Sequence, residues 1–305
     1  MTRDDIAWSG PMPALTTPFQ SDGSLDLDGF AANIDRLYRA GATGMVVAGC
    51  TGEFWALTLA EKAALAETAI AATKGRGPVI LGAAAITIDD VLATAAAAHA
   101  AGCDGILVTP PYFVRTTAQE TIAHFQAIAA RTPLPIVVYN IPGNAGNLIT
   151  AEIASTLADL DPVVAIKESS GDWRLFHETL LATRDRIRVF CGPSSVYGVA
   201  ATLAGADGLI DCFPNVWLGC LDIWSTTHDG RLQDAFALQD TGLALTHLFT
   251  SGGRTLYPAT KAAMDALGLP GGGLPRPPLL PLKGAPLAEL ESALGTLLPD
   301  LKPAA

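Results

Sequence analysis

The chain has 305 residues, of which half are apolar and 16% are charged, and its net charge is -11 at pH 7. This length suits one large α/β barrel or two ordinary domains, with enough residues to bury a sizeable core. Binding to nucleic-acid phosphates needs clustered Lys and Arg, so the acidic balance argues against a nucleic-acid partner.

No apolar run is long enough to span a bilayer, because charged residues such as Glu61, Lys74 and Asp89 interrupt the alanine-rich segments, so we expect no membrane association. Residues 1–6 lack the basic stretch and apolar block of an export signal. The five cysteines are widely spread and form no CxxC pair, which favours reduced thiols and a cytoplasmic location. The histidines show no metal-ligand spacing, and the sequence contains no glycine-rich phosphate loop.

Short apolar runs alternate along the chain with longer segments of helical periodicity. We predict eight strands, at residues 14–18, 45–49, 79–83, 105–109, 136–140, 163–167, 188–191 and 208–211. We predict a helix after each strand, at about 28–40, 59–73, 89–101, 118–130, 150–160, 173–183, 196–204 and 217–229. Eight βα units in succession predict a TIM (β/α)8 barrel over residues 1–229, with a doubly wound open sheet as the alternative.

Residues 230–305 continue with helical patterns at about 232–249 and 256–267, then a Pro- and Gly-rich stretch at 269–281 and a short helix after Pro286. Since this part lacks the alternation of a second α/β domain, we predict a C-terminal helical extension that packs on the barrel or at a subunit contact. The low share of charged residues also indicates that neighbouring subunits cover part of the surface.

A lysine ends one of the predicted strands. Residues 163–166 are apolar and typical of a strand buried on both faces, and Lys167 follows them directly. Burial of an ammonium group disfavours its charged form and lowers its pKa, so the neutral amine can form an imine with a carbonyl substrate. The alternative is that Lys167 pairs with a carboxylate or extends into water at the strand end.

In barrels of this kind the chemistry lies at the C-terminal ends of the strands. Polar or small residues stand at several of these predicted ends, and Ile210 precedes one of them: Cys50, Thr51, Gly52, Tyr139, Asn144, Lys167, Ser169, Gly192, Ser194 and Asp211. Because Tyr139 and Lys167 end neighbouring strands, their side chains can meet at the barrel mouth. This favours a chemical role for Lys167 over pairing with a carboxylate or extension into water.

Five motifs, in this order, resemble the dihydrodipicolinate synthase/N-acetylneuraminate lyase family of class I aldolases. They are GCTGE at 49–53, TPPY at 109–112, YNIP at 139–142, IKESSGD at 166–172 and AGADGLI at 204–210. The segment RPPLLP at 276–281 is also similar to the tail of that family. The resemblance extends from about residue 13 to about residue 298, which is almost the whole chain.

The resemblance implies a Schiff base between Lys167 and the C2 carbonyl of a 2-oxo acid, with Tyr139 as the acid/base hydroxyl beside it. It implies that Thr51 helps to bind the substrate carboxylate, so the expected catalytic residues are these three. The other expected substrate contacts are Cys50, Gly52, Tyr112, Asn144, Ser169, Gly192, Ser194, Ile210 and Asp211. No metal or organic cofactor is implied, because the imine is itself the electron sink, and the family implies a homotetramer built as a dimer of dimers.

Four positions depart from the pattern of the family. Asn144 stands where the synthase branch has an arginine that binds a second carboxylate, and Cys50 stands where a hydroxyl residue is usual. Tyr112 is followed by Phe113 where that branch uses a tyrosine from a neighbouring subunit. Asp211 is unusual, and it either contacts substrate hydroxyls as an acceptor or base, or is a solvated or salt-bridged loop residue.

The sequence therefore predicts a class I lyase. We expect either retro-aldol cleavage of a 4-hydroxy-2-oxo acid or dehydration of a 2-keto-3-deoxy sugar acid, since Asn144, Asn147, Ser169, Ser194 and Asp211 indicate a pocket for a hydroxylated substrate. The alternatives are, in order, deamination or dehydration of a hydroxy-pyrroline carboxylate, 4-hydroxy-tetrahydrodipicolinate synthesis, and a non-catalytic protein that binds a 2-oxo acid.

Overall fold

The computed structural model describes residues 3–299 and contains one sheet of eight parallel strands. The strands are β1 (Gly10–Pro11), β2 (Met45–Val47), β3 (Val79–Gly82), β4 (Gly105–Val108), β5 (Ile136–Asn140), β6 (Val163–Glu168), β7 (Arg188–Cys191) and β8 (Gly208–Leu209). Their order in the sheet is β1-β8-β7-β6-β5-β4-β3-β2, and a parallel bridge between Ala14 and Val46 joins the two ends. The predicted TIM barrel is therefore confirmed.

Twelve α-helices occur within the described chain, and those that follow the strands cover the outside of the barrel. They are α1 (Leu27–Arg39), α2 (Leu59–Thr73), α3 (Ile88–Ala101), α4 (Ala118–Ala129), α5 (Pro142–Ala145), α6 (Ala151–Leu157), α7 (Trp173–Thr183), α8 (Ser194–Ala204), α9 (Gly219–His228), α10 (Leu232–Thr250), α11 (Leu256–Ala266) and α12 (Ala285–Leu297). Capping boxes at Thr58 and Thr117 fix the starts of α2 and α4. None of the helices between residues 3 and 299 has the length and apolarity needed to cross a membrane.

The predicted first strand, at 14–18, is wrong. Strand β1 lies four residues earlier, where Gly10 pairs with Gly208 of β8. Within the later segment only Ala14 joins the sheet, through its bridge to Val46. The two threonines that follow bond to loops: the Thr16 hydroxyl donates to the carbonyl of Gly271 at 2.8 Å, and that of Thr17 to the carbonyl of Gly52 at 2.8 Å. Threonine and apolar residues are common in strands, so the sequence of this segment favours a strand. The hydrogen bonds of its threonines to distant loops are not visible in the sequence.

Successive side chains of a strand point to opposite faces of the sheet, and this alternation separates two apolar clusters. Along β5, Ile136 and Val138 belong to the cluster beneath the helices, whereas Val137 and Tyr139 belong to the cluster inside the barrel. Tyr139 is level with Lys167 of β6 in the register of the two strands. Both side chains therefore enter the interior at the same height.

The C-terminal helices pack on one side of the barrel and against one another. Helix α10 contacts α8 and α9, while α11 and α12 contact α10. Helix α11 also carries Lys261, whose Nζ lies 2.5 Å from Oε1 of Glu53 in an ion pair with both side chains almost fully buried. The backbone N–H of Arg276 donates to the other oxygen of Glu53 at 2.8 Å. The extension thus holds the loop that follows β2, in which Glu53 has a left-handed φ of 55°.

We expect Lys261→Met to lower the free energy of unfolding by about 3–5 kcal/mol, because it leaves the carboxylate of Glu53 buried without its cation. The double variant Glu53→Gln/Lys261→Met removes both charges and should recover most of this loss. Urea denaturation measures both values, with exposed Lys283→Met as the matched control. A loss below about 1 kcal/mol for Lys261→Met would contradict the structural role of the pair.

Candidate active site

Lys167 and Tyr139 meet inside the C-terminal end of the barrel. The Nζ atom of Lys167 donates to the hydroxyl of Tyr139 at 3.3 Å and lies 4.3 Å from the centre of its ring. Each side chain is only 5% exposed. The ammonium of Lys167 thus does not reach bulk water at the strand end, and its hydrogen bond goes to a phenol rather than a carboxylate.

Burial shifts the protonation of both groups in directions that suit imine chemistry. Removal from water lowers the pKa of Lys167 below its ordinary value of 10.5, while the nearby carboxylate of Asp211 opposes this shift. Burial raises the pKa of Tyr139 well above its ordinary value of 10.0. The lysine therefore loses its proton more readily than in water, and the tyrosine stays a neutral phenol.

A cavity of about 170 Å³ opens around this pair. Eight of the twelve residues predicted for the site line it: Cys50, Thr51, Tyr139, Lys167, Ser169, Gly192, Ile210 and Asp211. Among these, residue 192 must be glycine because a Cβ atom there would collide with the hydroxyl of Ser169. Among the described residues, no group of three or more His, Cys, Asp or Glu side chains could hold a metal ion.

The other four predicted residues lie around this cavity rather than on its wall. Tyr112 and Asn144 line a second cavity that adjoins the first. Gly52 packs tightly against the backbone of Ala48, and its carbonyl accepts a hydrogen bond from the hydroxyl of Thr17. It therefore shapes the loop that follows β2. The hydroxyl of Ser194 donates to Asp211 and lies behind it.

Asp211 lines the cavity with a carboxylate that its own loop already engages. One oxygen accepts from the hydroxyl of Ser194 at 3.0 Å and the backbone N–H of Ser195 at 2.8 Å, and the other accepts from the N–H of Cys212 at 2.6 Å. Its side chain is buried, and no cation between residues 3 and 299 forms an ion pair with it. Three of the roughly four acceptor positions of a carboxylate are therefore used within the protein.

Asn147, which the sequence analysis assigned to the pocket, instead fixes the loop after β4. Its amide donates to the carbonyls of Pro111 and Val114 at 2.7 and 2.8 Å and accepts from the N–H of Thr116 at 3.0 Å. Together with the engaged carboxylate of Asp211, this leaves fewer polar groups for substrate hydroxyls than the sequence indicates.

Tyr257 of α11 lines the same cavity and was missed by the sequence analysis. Its hydroxyl accepts from the amide of Asn144 at 3.3 Å. Burial raises the pKa of the Cys50 thiol, and Lys167 and the hydroxyls of Tyr139 and Tyr257 partly oppose this shift. No local sequence pattern marks Tyr257 as a site residue, because its helix reaches the cavity only through tertiary packing.

We expect Asp211→Asn to lower the free energy of unfolding by about 1–3 kcal/mol, because an amide cannot accept at both ends and leaves a buried N–H unsatisfied. The turnover number of the folded variant should fall less than tenfold. Exposed Asp240→Asn is the matched control for denaturation and kinetics. A loss of 100-fold or more in turnover at unchanged stability would instead identify Asp211 as a general base.

Comparisons with known proteins show the family to which this chain is similar. The model of the dihydrodipicolinate synthetase family matches residues 7–297. An uncharacterized DapA-like lyase of Rhizobium meliloti is 31% identical, and the match covers 95% of this chain and 96% of that lyase. A 4-hydroxy-tetrahydrodipicolinate synthase of Moorella thermoacetica is 34% identical, and the match covers 96% of this chain and 98% of that synthase.

Solved structures show the same likeness. YagE of E. coli K12, a prophage protein of the dihydrodipicolinic acid synthase family solved in complex with pyruvate, superimposes with a TM-score of 0.90 at 27% identity. That match covers 97% of this chain and 100% of YagE. A monomeric dihydrodipicolinate synthase variant superimposes with a TM-score of 0.88 at 28% identity, covering 95% of this chain and 98% of the variant.

Proposed function

This chain belongs to the dihydrodipicolinate synthetase family and is an enzyme of the aldolase and lyase type, and we propose that it cleaves a 4-hydroxy-2-oxo acid by a retro-aldol reaction. The observation that carries the proposal is the buried contact between Lys167 and Tyr139, 3.3 Å apart at the barrel mouth. The pyruvate complex of YagE supports a 2-oxo acid as the ligand.

The reaction begins when the neutral amine of Lys167 adds to the C2 carbonyl of the substrate, and water leaves to give the imine. The C4 hydroxyl then loses its proton and the C3–C4 bond breaks. The electron pair of that bond moves into the imine to form an enamine, and C4 departs as the carbonyl carbon of an aldehyde. The enamine takes up a proton at C3, and addition of water releases the shortened 2-oxo acid and restores the amine.

Tyr139 transfers protons in these steps. Because its pKa is raised well above the ordinary value, it accepts one proton while it donates another and does not persist as a phenolate. In this proposal the thiol of Cys50 and the hydroxyl of Tyr257, which line the same cavity, extend the relay away from Lys167. The proton lost at C4 balances the proton gained at C3, so the relay ends each turnover unchanged.

The alternative reactions have less support. Synthesis of 4-hydroxy-tetrahydrodipicolinate involves a second carboxylate, but Lys167 is the only cation among the described residues that line the two cavities, and Asn144 replaces the arginine. Deamination of a cyclic imino acid depends on Asp211, whose oxygens are engaged by their loop. The homotetramer and the cytoplasmic location inferred from the sequence stay predictions.

We expect sodium borohydride to trap pyruvate on Lys167 as a stable adduct, measured by intact mass and located by peptide mapping. Lys167→Arg keeps the charge but cannot form the imine, so it should give no adduct and no turnover. Exposed Lys74→Arg is the matched control and should behave like the wild type. No adduct on the wild-type enzyme with any 2-oxo acid would overturn the proposal and favour a binding protein.

Product analysis separates the two lyase reactions that use this imine. Cleavage gives a shorter 2-oxo acid and an aldehyde, whereas dehydration of a 2-keto-3-deoxy sugar acid keeps every carbon atom in one product. We propose cleavage, and a panel of both substrate classes decides between them.

We expect Tyr139→Phe to lower the turnover number by about 10²–10⁴-fold, which is the usual contribution of a positioned acid/base group. The apolar ring is kept, so folding should be preserved. Tyr38→Phe removes a buried hydroxyl of helix α1, outside the cavity, and is the matched control. Steady-state kinetics with circular dichroism measure both variants, and a loss below tenfold for Tyr139→Phe would assign the proton transfers to another group.

A further inference from the structure

Helix α8, which follows β7, is broken within its first half. Tyr197 has a φ of -142° and a ψ of 30°, which lie outside the helical range. The helix contains no proline that would explain the break. Kinks away from proline occur where a side chain enters the ladder of backbone hydrogen bonds, so a partner from another element is expected here.

Gln239 of helix α10 supplies that side chain. Its Oε1 atom accepts from the backbone N–H of Val199 at 3.0 Å, and its Nε2 atom donates to the carbonyl of Ser194 at 2.9 Å. In an unbroken helix these two backbone groups would bond to Ser195 and Gly198. Gln239 is only 7% exposed, so a buried amide completes the hydrogen bonds that the break leaves open.

Two further residues of α10 contact the same turn of α8. Gly242 lies so close to Ser195 that a Cβ atom at position 242 would be 3.1 Å from its Cα and its backbone oxygen. The hydroxyl of Thr246 donates to the hydroxyl of Ser195 at 3.0 Å. Gln239, Gly242 and Thr246 are spaced by three and four residues and therefore share one face of α10. Helix α10 thus holds the first turn of α8 in place.

This turn carries two of the three donors to Asp211. The hydroxyl of Ser194 and the N–H of Ser195 donate to one carboxylate oxygen, and the N–H of Cys212 donates to the other. A movement of the turn would leave the first oxygen buried without donors, which is unfavourable. Lys167 is the only cation among the described residues that line the cavity, so the freed oxygen would pair with it.

We propose that Gln239 is a positioning residue for imine formation, because it holds the break in α8 and so keeps the donors of Ser194 and Ser195 on Asp211. The proposal rests on the function above, since the step that it affects is the attack of Lys167 on the 2-oxo acid. Gln239 lines neither cavity and acts only through α8 and Asp211. A carboxylate that is already bonded competes less for the lysine proton, so the neutral amine is available at lower pH.

The titratable groups that face Lys167 come from several parts of the barrel. They are Tyr139 on β5, Cys50 after β2, Cys191 on β7, and Asp211 and Cys212 after β8. Burial raises the pKa of the phenol and of these three thiols, which keeps them neutral at pH 7. Cys220 of α9 faces Asp211, and burial raises its pKa as well. The charge that responds to the donors of α8 is therefore that of Asp211.

The pH dependence of pyruvate trapping by cyanoborohydride tests the proposal. Its rate should rise with pH through a midpoint set by Lys167. Gln239→Met keeps the length of the side chain and removes both hydrogen bonds, so Lys167 should stay protonated to higher pH and the midpoint should rise by about one unit or more. Trapping well below the midpoint is then about tenfold slower, whereas the rate at high pH is retained.

Gln233→Met is the matched control, because Gln233 is exposed on the same helix, and it should leave the midpoint unchanged. Circular dichroism and urea denaturation show whether each variant is folded. A purely structural role of Gln239 would lower stability without moving the midpoint. An unchanged or lower midpoint in folded Gln239→Met would therefore overturn the proposal.

A second background tests the route through Asp211. In Asp211→Asn the carboxylate is absent, so Gln239→Met should leave the midpoint where Asp211→Asn alone places it. Equal shifts in both backgrounds would contradict the assigned route. Should Gln239→Met fail to fold, Ser194→Ala removes one donor from Asp211 and should also raise the midpoint. An unchanged midpoint in Ser194→Ala would count against the proposal.

The pyruvate adduct separates this proposal from the function on which it rests. Absence of the adduct on the wild-type enzyme defeats the imine function itself. Presence of the adduct with an unshifted midpoint in Gln239→Met defeats only the role of Gln239. Competitive labelling of Lys167 by acetic anhydride, read by peptide mapping, gives the same midpoint without any substrate and should show the same shift.

Discussion

The burial of one lysine amine is the constraint on which the rest of this structure depends. An ammonium group inside a barrel is unfavourable, and this cost lowers the pKa of Lys167 and makes its amine available for imine formation. The barrel supports this position because Tyr139 on the next strand supplies a neutral partner at the same height. The nearest carboxylate that lines the cavity, Asp211, is held by N–H and O–H donors of its own loop rather than by the lysine.

The C-terminal extension completes the site as well as the fold. Tyr257 and Lys261 lie one turn apart on helix α11, so they share one of its faces. Tyr257 lines the cavity of Lys167, while Lys261 fixes Glu53 and with it the loop of Thr51. A single helix thus contributes to the wall of the cavity and holds the loop that we expect to bind the substrate carboxylate. A disturbance of this helix would therefore alter stability and chemistry together.

Two cavities adjoin at the mouth of the barrel. The first surrounds Lys167 with small and hydroxyl residues, and the second is walled by aromatic rings. Cys50 and Ile141 line both of them. Asn144, which stands where the resemblance implies an arginine, lines the second cavity, so Lys167 is the only cation among the described residues that line the two.

The sequence by itself determined the barrel, most strand and helix positions, and the meeting of Tyr139 with Lys167. These follow from apolar periodicity and from the alternation of side chains along neighbouring strands, which are local properties. Only the tertiary structure decided the course of residues 14–18, the internal bonding of Asp211 and Asn147, and the entry of Tyr257 into the site. Thr16 bonds to a carbonyl 255 residues away and Asn144 to a hydroxyl 113 residues away. Contacts over such separations leave no periodic trace in the sequence, because they depend on how whole elements pack.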